Sequence, residues 1–191
     1  MEAMELKEII AKDLLDIGAV SLRPEIRCDA GLTLTDVDIR DDVAIGLSAL
    51  IRSYYPGAEA LMGAAGAGEA YAAVIAHMLR LPMGYVRSGA IGGKLLPGRK
   101  VVLVEDLVRT GGRVLGDVET LRAHGADVLG AVSIFSFETQ KGLAQLAAAN
   151  VEHHSLTDLD TLAPLAAAAG HITPEDASEL LRSRDGSARG Q

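Results

Sequence analysis

The spacing of apolar positions changes along the chain, and the changes predict its elements. Over residues 3–16, Met4, Ile9, Ile10, Leu14 and Leu15 recur at helical spacing. A short strand, Ala19 to Leu22, follows. "RPEIRCDAGLTLTDVD" reads as turn, with Asp36 placed to cap the next helix. That helix is predicted over 37–53 and buries Val43, Leu47, Leu50 and Ile51. After the turn "YYPGAEA", strand and helix alternate. Strands are predicted in "EALMGAA", "PMGYVRS", "KVVLVEDLV", "ADVLGAVSIF" and "VEHHSL". Helices are predicted in "GAGEAYAAVIAHMLR", "GGRVLGDVETLRAHG" and "TQKGLAQLAAAN", and "GAIGGKLLPGR" reads as loop. "TDLDTLAPLAAAAG" and "TPEDASELLRS" read as two capped helices, and "RDGSARGQ" as a frayed end.

Near-continuous apolar strands alternating with helices specify an α/β chain with a parallel sheet covered on both faces. Ligands of such sheets bind beyond the carboxyl ends of the strands. The loops at 64–70, 87–93 and 105–113 are therefore the places to look for chemistry.

Composition narrows the classes. Hydrophobic residues make up 49% of the 191 residues and aromatics only 3%, with no Trp. The core must be aliphatic, and a base-stacking platform for single strands is disfavoured. A net charge of −8 and a pI near 5.1 exclude a nucleic-acid partner held through its phosphates. Cys28 is the single cysteine, so no intramolecular disulfide or Cys-based zinc site forms. The acidic, amphipathic N-terminus does not read as a signal peptide, and no stretch approaches 18 apolar residues. The expected compartment is the cytoplasm, with no membrane partner.

The stretch "VVLVEDLVRTGG", residues 101–112, carries the candidate chemistry. Glu105 and Asp106 sit where an apolar strand emerges. Neighbouring strand residues face opposite sides, so one acid is expected to face the crevice and the other the backbone. Gly111 and Gly112 permit a tight turn, and exposed N–H groups at a helix start form an anion pocket. Thr110 adds a hydroxyl and Arg109 a forked cation. On spacing alone, an anion site and a plain strand-turn-helix fit equally. His153 and His154, adjacent on a strand, face opposite ways and are not expected to share a metal, so no metal-ligating residue is assigned. His77 and His124 read as structural.

This run resembles the donor-binding signature of type I phosphoribosyltransferases. Further blocks, "CDAGLTLTDVDIRDDVAIGL", "LMGAAGAGEAYAAVIAHMLRLPMGYVRS", "LLPGRKVVLVEDLVRTGGRVL", "TLRAHGADVLGAVSIFSF", "LRPE" and "HSLTDLDTL", are similar to orotate phosphoribosyltransferases from end to end. The resemblance implies the type I fold, with a hood in 1–35, a core in 36–160 and C-terminal helices in 161–191. It implies that Glu105 and Asp106 meet the ribose hydroxyls of phosphoribosyl diphosphate, and that Val108, Arg109, Thr110, Gly111 and Gly112 wrap its 5-phosphate. Gly66, Ala67 and Gly68 would hold the diphosphate through backbone N–H groups, and Arg87 would contact it too. The implied reaction joins orotate to the donor with Mg²⁺ in pyrimidine synthesis, on a homodimer.

Three departures stand out. Ser88 follows Arg87 where the family has a lysine and then a long mobile lid. Ser88 to Ile91 spans at most about 10 Å. The orotate-binding segment expected between Leu22 and Asp29 is essentially absent, with Arg27 as a possible substitute anion partner. Arg109 replaces a small residue in the phosphate turn, where it either strengthens phosphate binding or fills the pocket, and Arg113 begins the next helix. These leave open a non-catalytic homologue that senses donor or nucleotide, or a transferase for another base.

Overall fold

The computed structural model describes residues 3–22, 26–95 and 97–184. Residues 23–25 of the "LRPE" block, Leu96 of the predicted loop, the frayed end from Asp185 and the side chain of Met4 lie outside the described residues.

Helix α1 (Ala3–Asp16) buries Ile10 and Leu14 completely. β1 (Val20–Ser21) pairs antiparallel with β2 (Arg27–Cys28), a segment whose sequence reads as turn. β1 falls within the predicted strand, whereas β2 is hidden among the polar and proline residues around it. A 3₁₀ segment (Ala30–Thr35) follows, opened by the Asp29 carboxylate, which accepts from Gly31 N–H at 3.1 Å. Asp36 caps α2 (Val37–Tyr54), accepting from the N–H groups of Asp38 and Ile39. This is the cap the sequence predicts. α2 buries Val43, Leu47 and Ile51, with Leu50 half-buried.

The remaining elements are β3 (Ala60–Ala64), α3 (Ala67–Leu79), β4 (Met83–Arg87), β5 (Ala90–Gly92), β6 (Lys100–Val108), α4 (Gly112–Ala123), β7 (Asp127–Ser136), α5 (Gln140–Ala148), β8 (His153–Asp158), α6 (Leu159–Ala168) and α7 (Pro174–Ser183). Six strands form one sheet in the order β5-β4-β3-β6-β7-β8. Every pairing is parallel except β4–β5. The sheet is thus mixed rather than purely parallel.

The exception lies in "GAIGGKLLPGR", which reads as loop in sequence. β4 and β5 form a hairpin with Arg87 opposite Ala90 and Tyr85 opposite Gly92. Its two central residues, Ser88 and Gly89, have φ of 51° and 75°. Positive φ at both positions is the condition for a two-residue turn whose twist matches its strands. Where the family resemblance implies a mobile lid, the chain turns back at once and pairs with its own strand.

Alternation along β6 divides the core. Val102 and Val104 pack on the face covered by α1, α2, α3, α6 and α7, and Val101 and Leu103 on the face covered by α4 and α5. A strand buried on both faces shows the near-continuous apolar run seen in the sequence. Phe135 is fully buried and meets Phe137 edge to face, with ring centroids 5.2 Å apart. Burying a side chain of this size contributes about 1.5–3 kcal/mol. No helix among the described residues is long and apolar enough to cross a membrane.

Candidate active site

The strand order reverses between β3 and β6. From β3 the chain crosses through α3 to β4 on one side, and from β6 through α4 to β7 on the other. The carboxyl ends of β3 and β6 therefore open one crevice, the position where doubly wound sheets take ligands.

The loop after β3 is held close to this crevice. Gly66 has φ 109° and ψ −142°, a conformation that requires glycine. A Cβ there would stand 3.4 Å from an Asp106 carboxylate oxygen, so the loop lies beside the acid. Gly68 has a different role. Its Cβ would meet the Val104 carbonyl oxygen at 2.5 Å, so this glycine lets α3 rest directly on β6. Ala67 opens the helix and is buried.

Glu105 is fully buried and Asp106 is about one-fifth exposed. Glu105 accepts from the Asp106 backbone N–H at 3.0 Å, while the Asp106 carboxylate faces Gly66. Strand alternation alone would send the two carboxylates to opposite sides, yet both come to one guanidinium. Both are held by one residue. The Arg113 guanidinium donates to both Glu105 carboxylate oxygens and reaches Asp106 Oδ1 at 2.6 Å. Sequence shows Arg113 at a helix start; only the fold turns it back onto the strand seven and eight positions earlier.

Burial pushes the Glu105 carboxyl up to about 7, with Arg113 pulling the other way. Its folded value lies above its unfolded one, so between about pH 4.5 and 7 the unfolded chain gives up a proton that the folded chain keeps. Stability from this group is complete below that window and falls as pH rises through it. Glu105→Gln is expected to flatten the slope of unfolding free energy between pH 4.5 and 7, read from urea midpoints. A slope equal to that of the wild type would mean that the Glu105 carboxyl titrates alike in the folded and unfolded chain.

The turn after β6 is pinned from the other side. Gly111 has φ 73°, and Thr139 Oγ1 donates to the Arg109 carbonyl at 2.8 Å while capping α5. A Cβ at Gly112 would have only Thr110 Oγ1 within 4 Å, at 3.8 Å, so the start of α4 is open. Val108 is buried and accepts from Phe137 N–H, which fixes the base of the turn. The Arg109 side chain reaches the segment leading into β2 instead. Its Nη2 donates to the Ile26 carbonyl at 3.0 Å, and its guanidinium lies over the Phe137 ring, 4.3 Å from the centroid.

Arg87, at the end of β4, binds Glu69 through two bonds, Nε to Oε1 at 3.1 Å and Nη2 to Oε2 at 2.6 Å. Tyr85 lies beneath, 5.4 Å from the guanidinium carbon to the ring centroid. Glu69 raises the Arg87 pKa further, so this cation is permanent. Sequence reading missed Glu69, although an acid in the first turn after a small-residue loop was a usable signal. Arg87 is mostly exposed. Exposed pairs are weak, so Glu69→Gln is expected to raise the affinity for inorganic pyrophosphate about two- to fivefold by calorimetry. Unchanged affinity would show that Arg87 does not take that anion. Lys94 is exposed at the far end of the hairpin.

Other candidates have local partners. His153 Nε2 contacts Ser133 Oγ at 2.9 Å, while His154 stacks on Tyr54 and contacts Glu152. The Cys28 thiol is pushed up to about 12 by burial and by Asp106, so it stays protonated and unreactive.

No protein-family model matches the chain. It is 43% identical to the orotate phosphoribosyltransferase of Bacillus subtilis over 195 positions, covering 92% of this chain and 90% of that one. Since 92% of 191 residues is about 176, about 19 positions of that alignment have no counterpart in this chain. The orotate phosphoribosyltransferase structure from Aeropyrum pernix superposes with a TM-score of 0.70 at 26% identity, covering 80% of this chain and 96% of that one. UMP synthase of Leishmania donovani superposes with a TM-score of 0.80 at 24% identity, covering 95% of this chain and 42% of that one, and supports the fold. With the acid pair, glycine turn and small-residue loop gathered at one switch point, the chain belongs to the orotate phosphoribosyltransferase family.

Proposed function

We propose that this protein transfers the phosphoribosyl group of phosphoribosyl diphosphate to orotate, giving orotidine 5′-phosphate and pyrophosphate in cytoplasmic pyrimidine synthesis. The observation that carries the reading is the Glu105–Asp106 pair at the end of β6, followed by an open helix start at Gly112. In this reading the hood in residues 1–35 covers the crevice of the core. Asp106 takes the ribose hydroxyls, and Glu105 fixes the adjoining backbone. The N–H groups of Val108 through Gly112, with the Thr110 hydroxyl, hold the 5-phosphate. The loop Gly66–Gly68 and Arg87 receive the diphosphate. The orotate nitrogen, having lost its proton, forms a bond to the anomeric carbon while the bond from that carbon to diphosphate oxygen breaks. Arg87 must leave Glu69 to neutralise the departing charge.

Among the described residues no group of three or more His, Cys, Asp or Glu side chains is placed to hold a metal ion. Mg²⁺ fits as a passenger of the donor, since it binds through one or two carboxylates and substrate phosphates. Asp106, partly exposed and paired through Oδ1 with Arg113, would supply the carboxylate. Bound there, it would supply charge neutralisation for the diphosphate.

The homodimer is assigned to an apolar strip on α2, α3 and β4, where Ile45, Met78, Met83 and Tyr85 are 36–50% exposed. Such strips mark association surfaces. A sedimentation mass of one chain would remove this assignment.

The test is orotate-dependent pyrophosphate release with Mg²⁺. No turnover at enzyme concentrations matching substrate would overturn the reading. A second reading, a donor or nucleotide sensor of the same family, is favoured by the internal pairs Arg113–Glu105/Asp106 and Arg87–Glu69 and by the closed β4–β5 hairpin. It predicts calorimetric heat with phosphoribosyl diphosphate in the absence of turnover.

A further inference from the structure

The acid pair at the end of β6 is occupied by the chain itself. Arg113 Nε donates to Glu105 Oε2 at 2.9 Å, and its Nη2 bridges Glu105 Oε1 and Asp106 Oδ1. The other Asp106 oxygen, Oδ2, lies against the Gly66 loop. A ribose hydroxyl approaching Asp106 Oδ1 therefore meets a guanidinium already bound there.

That guanidinium has a way out. The Arg113 side chain is half-exposed, while Glu105 is fully buried and Asp106 nearly so. The start of α4 beside it is open, since a Cβ on Gly112 would have only Thr110 Oγ1 within 4 Å. Asp117 stands four residues further along α4, the spacing that brings two side chains to one helix face. Burial pushes the Asp117 carboxyl up and the Arg113 charge pulls it down, so the two lie within electrostatic reach. One cation thus has two carboxylate positions, the acid pair behind it and Asp117 one turn ahead.

We propose that Arg113 is an autoinhibitory latch on the donor site: it closes on Asp106 in the free chain and swings toward Asp117 when the ribose of the donor takes the acid. This rests on the transferase reading, which places the ribose at Asp106, and adds to it a competition within the chain. A site open in only part of the population binds its ligand more weakly by that fraction.

Calorimetry with ribose 5-phosphate and inorganic phosphate tests the latch without requiring turnover. Both ligands use the turn after β6, but only ribose 5-phosphate reaches Asp106. The ratio of their affinities therefore reads the latch and cancels effects on the shared phosphate. Arg113→Ser is expected to raise the ratio about two- to fivefold, the range of a half-exposed ion pair. Arg113→Lys keeps the charge without the fork that spans two acids, and should fall between serine and wild type. Asp117→Asn removes the outward position and should lower the ratio by up to about twofold. An Arg113→Ser ratio equal to or below that of a wild type that favours ribose 5-phosphate overturns the latch and leaves the ribose at Asp106. Equal affinity for the two ligands in both proteins takes the ribose away from Asp106 and overturns both readings, as does binding of neither ligand by the wild type. Should Arg113→Ser alone bind neither, the opposite shifts of Arg113→Lys and Asp117→Asn decide, and their absence overturns the latch.

Discussion

Asp106→Asn is expected to lower orotidine 5′-phosphate formation about 10²- to 10³-fold, the range for removing one preorganised group from a transition state. The asparagine keeps the shape of the side chain and removes its charge. Asp106 stands at the mouth of the switch point, within reach of Gly66 and about one-fifth exposed, so a ribose can meet it without displacing the core. Glu105 cannot take over because it is fully buried. The substitution also releases one arm of Arg113, but that residue is half-exposed and the lost pair is worth less than about 1 kcal/mol. The loss should therefore appear in turnover and in donor affinity, with the thermal midpoint nearly unchanged. Turnover like that of the wild type would place the ribose elsewhere.

Gly68→Ala is expected to cost about 3 kcal/mol of stability and to abolish donor binding. The new methyl would lie 2.5 Å from the Val104 carbonyl oxygen and 3.3 Å from Glu105 Cα, both backbone atoms of the central strand. Neither can rotate away, so the first turn of α3 must lift off β6. β3 offers no room either, since a Cβ at Gly63 would meet Glu69 Cα at 2.6 Å. Overpacking of this kind costs about 1–3 kcal/mol, occasionally more. Lifting α3 also carries the Gly66 loop away from Asp106, so a stability defect and a binding defect arise from one methyl group. Gly116→Ala is the matched control. It lies within α4 with nothing inside 4 Å, and should stabilise by up to about 1 kcal/mol. A urea midpoint for Gly68→Ala equal to that of the wild type would show that α3 is not wedged there.

Much of this site was legible before any fold was known. β6 runs from Lys100 to Val108 as its apolar run predicts, Asp36 caps α2, and Gly125, at φ 84°, closes the turn after α4. Each depends on period, cap chemistry or backbone permissiveness, all properties of a few consecutive residues. The β5 hairpin was not legible. Its strand is three residues long and is followed by Gly93, Pro97 and Gly98, whose turn character dominates the local pattern.

The sequence by itself determined the alternation of strands and helices, the ends of β3, β4 and β6 that bear the candidate groups, and the resemblance that the 43% match supports. Tertiary structure alone decided how those groups are engaged. Glu69 and Arg87 are 18 residues apart, and Ile26 and Arg109 are 83 apart. Side-chain charge is written in the chain, but its partner depends on which strand ends converge. Only the assembled sheet could therefore show Arg113 on both acids, Arg87 on Glu69, and Arg109 on the Ile26 carbonyl.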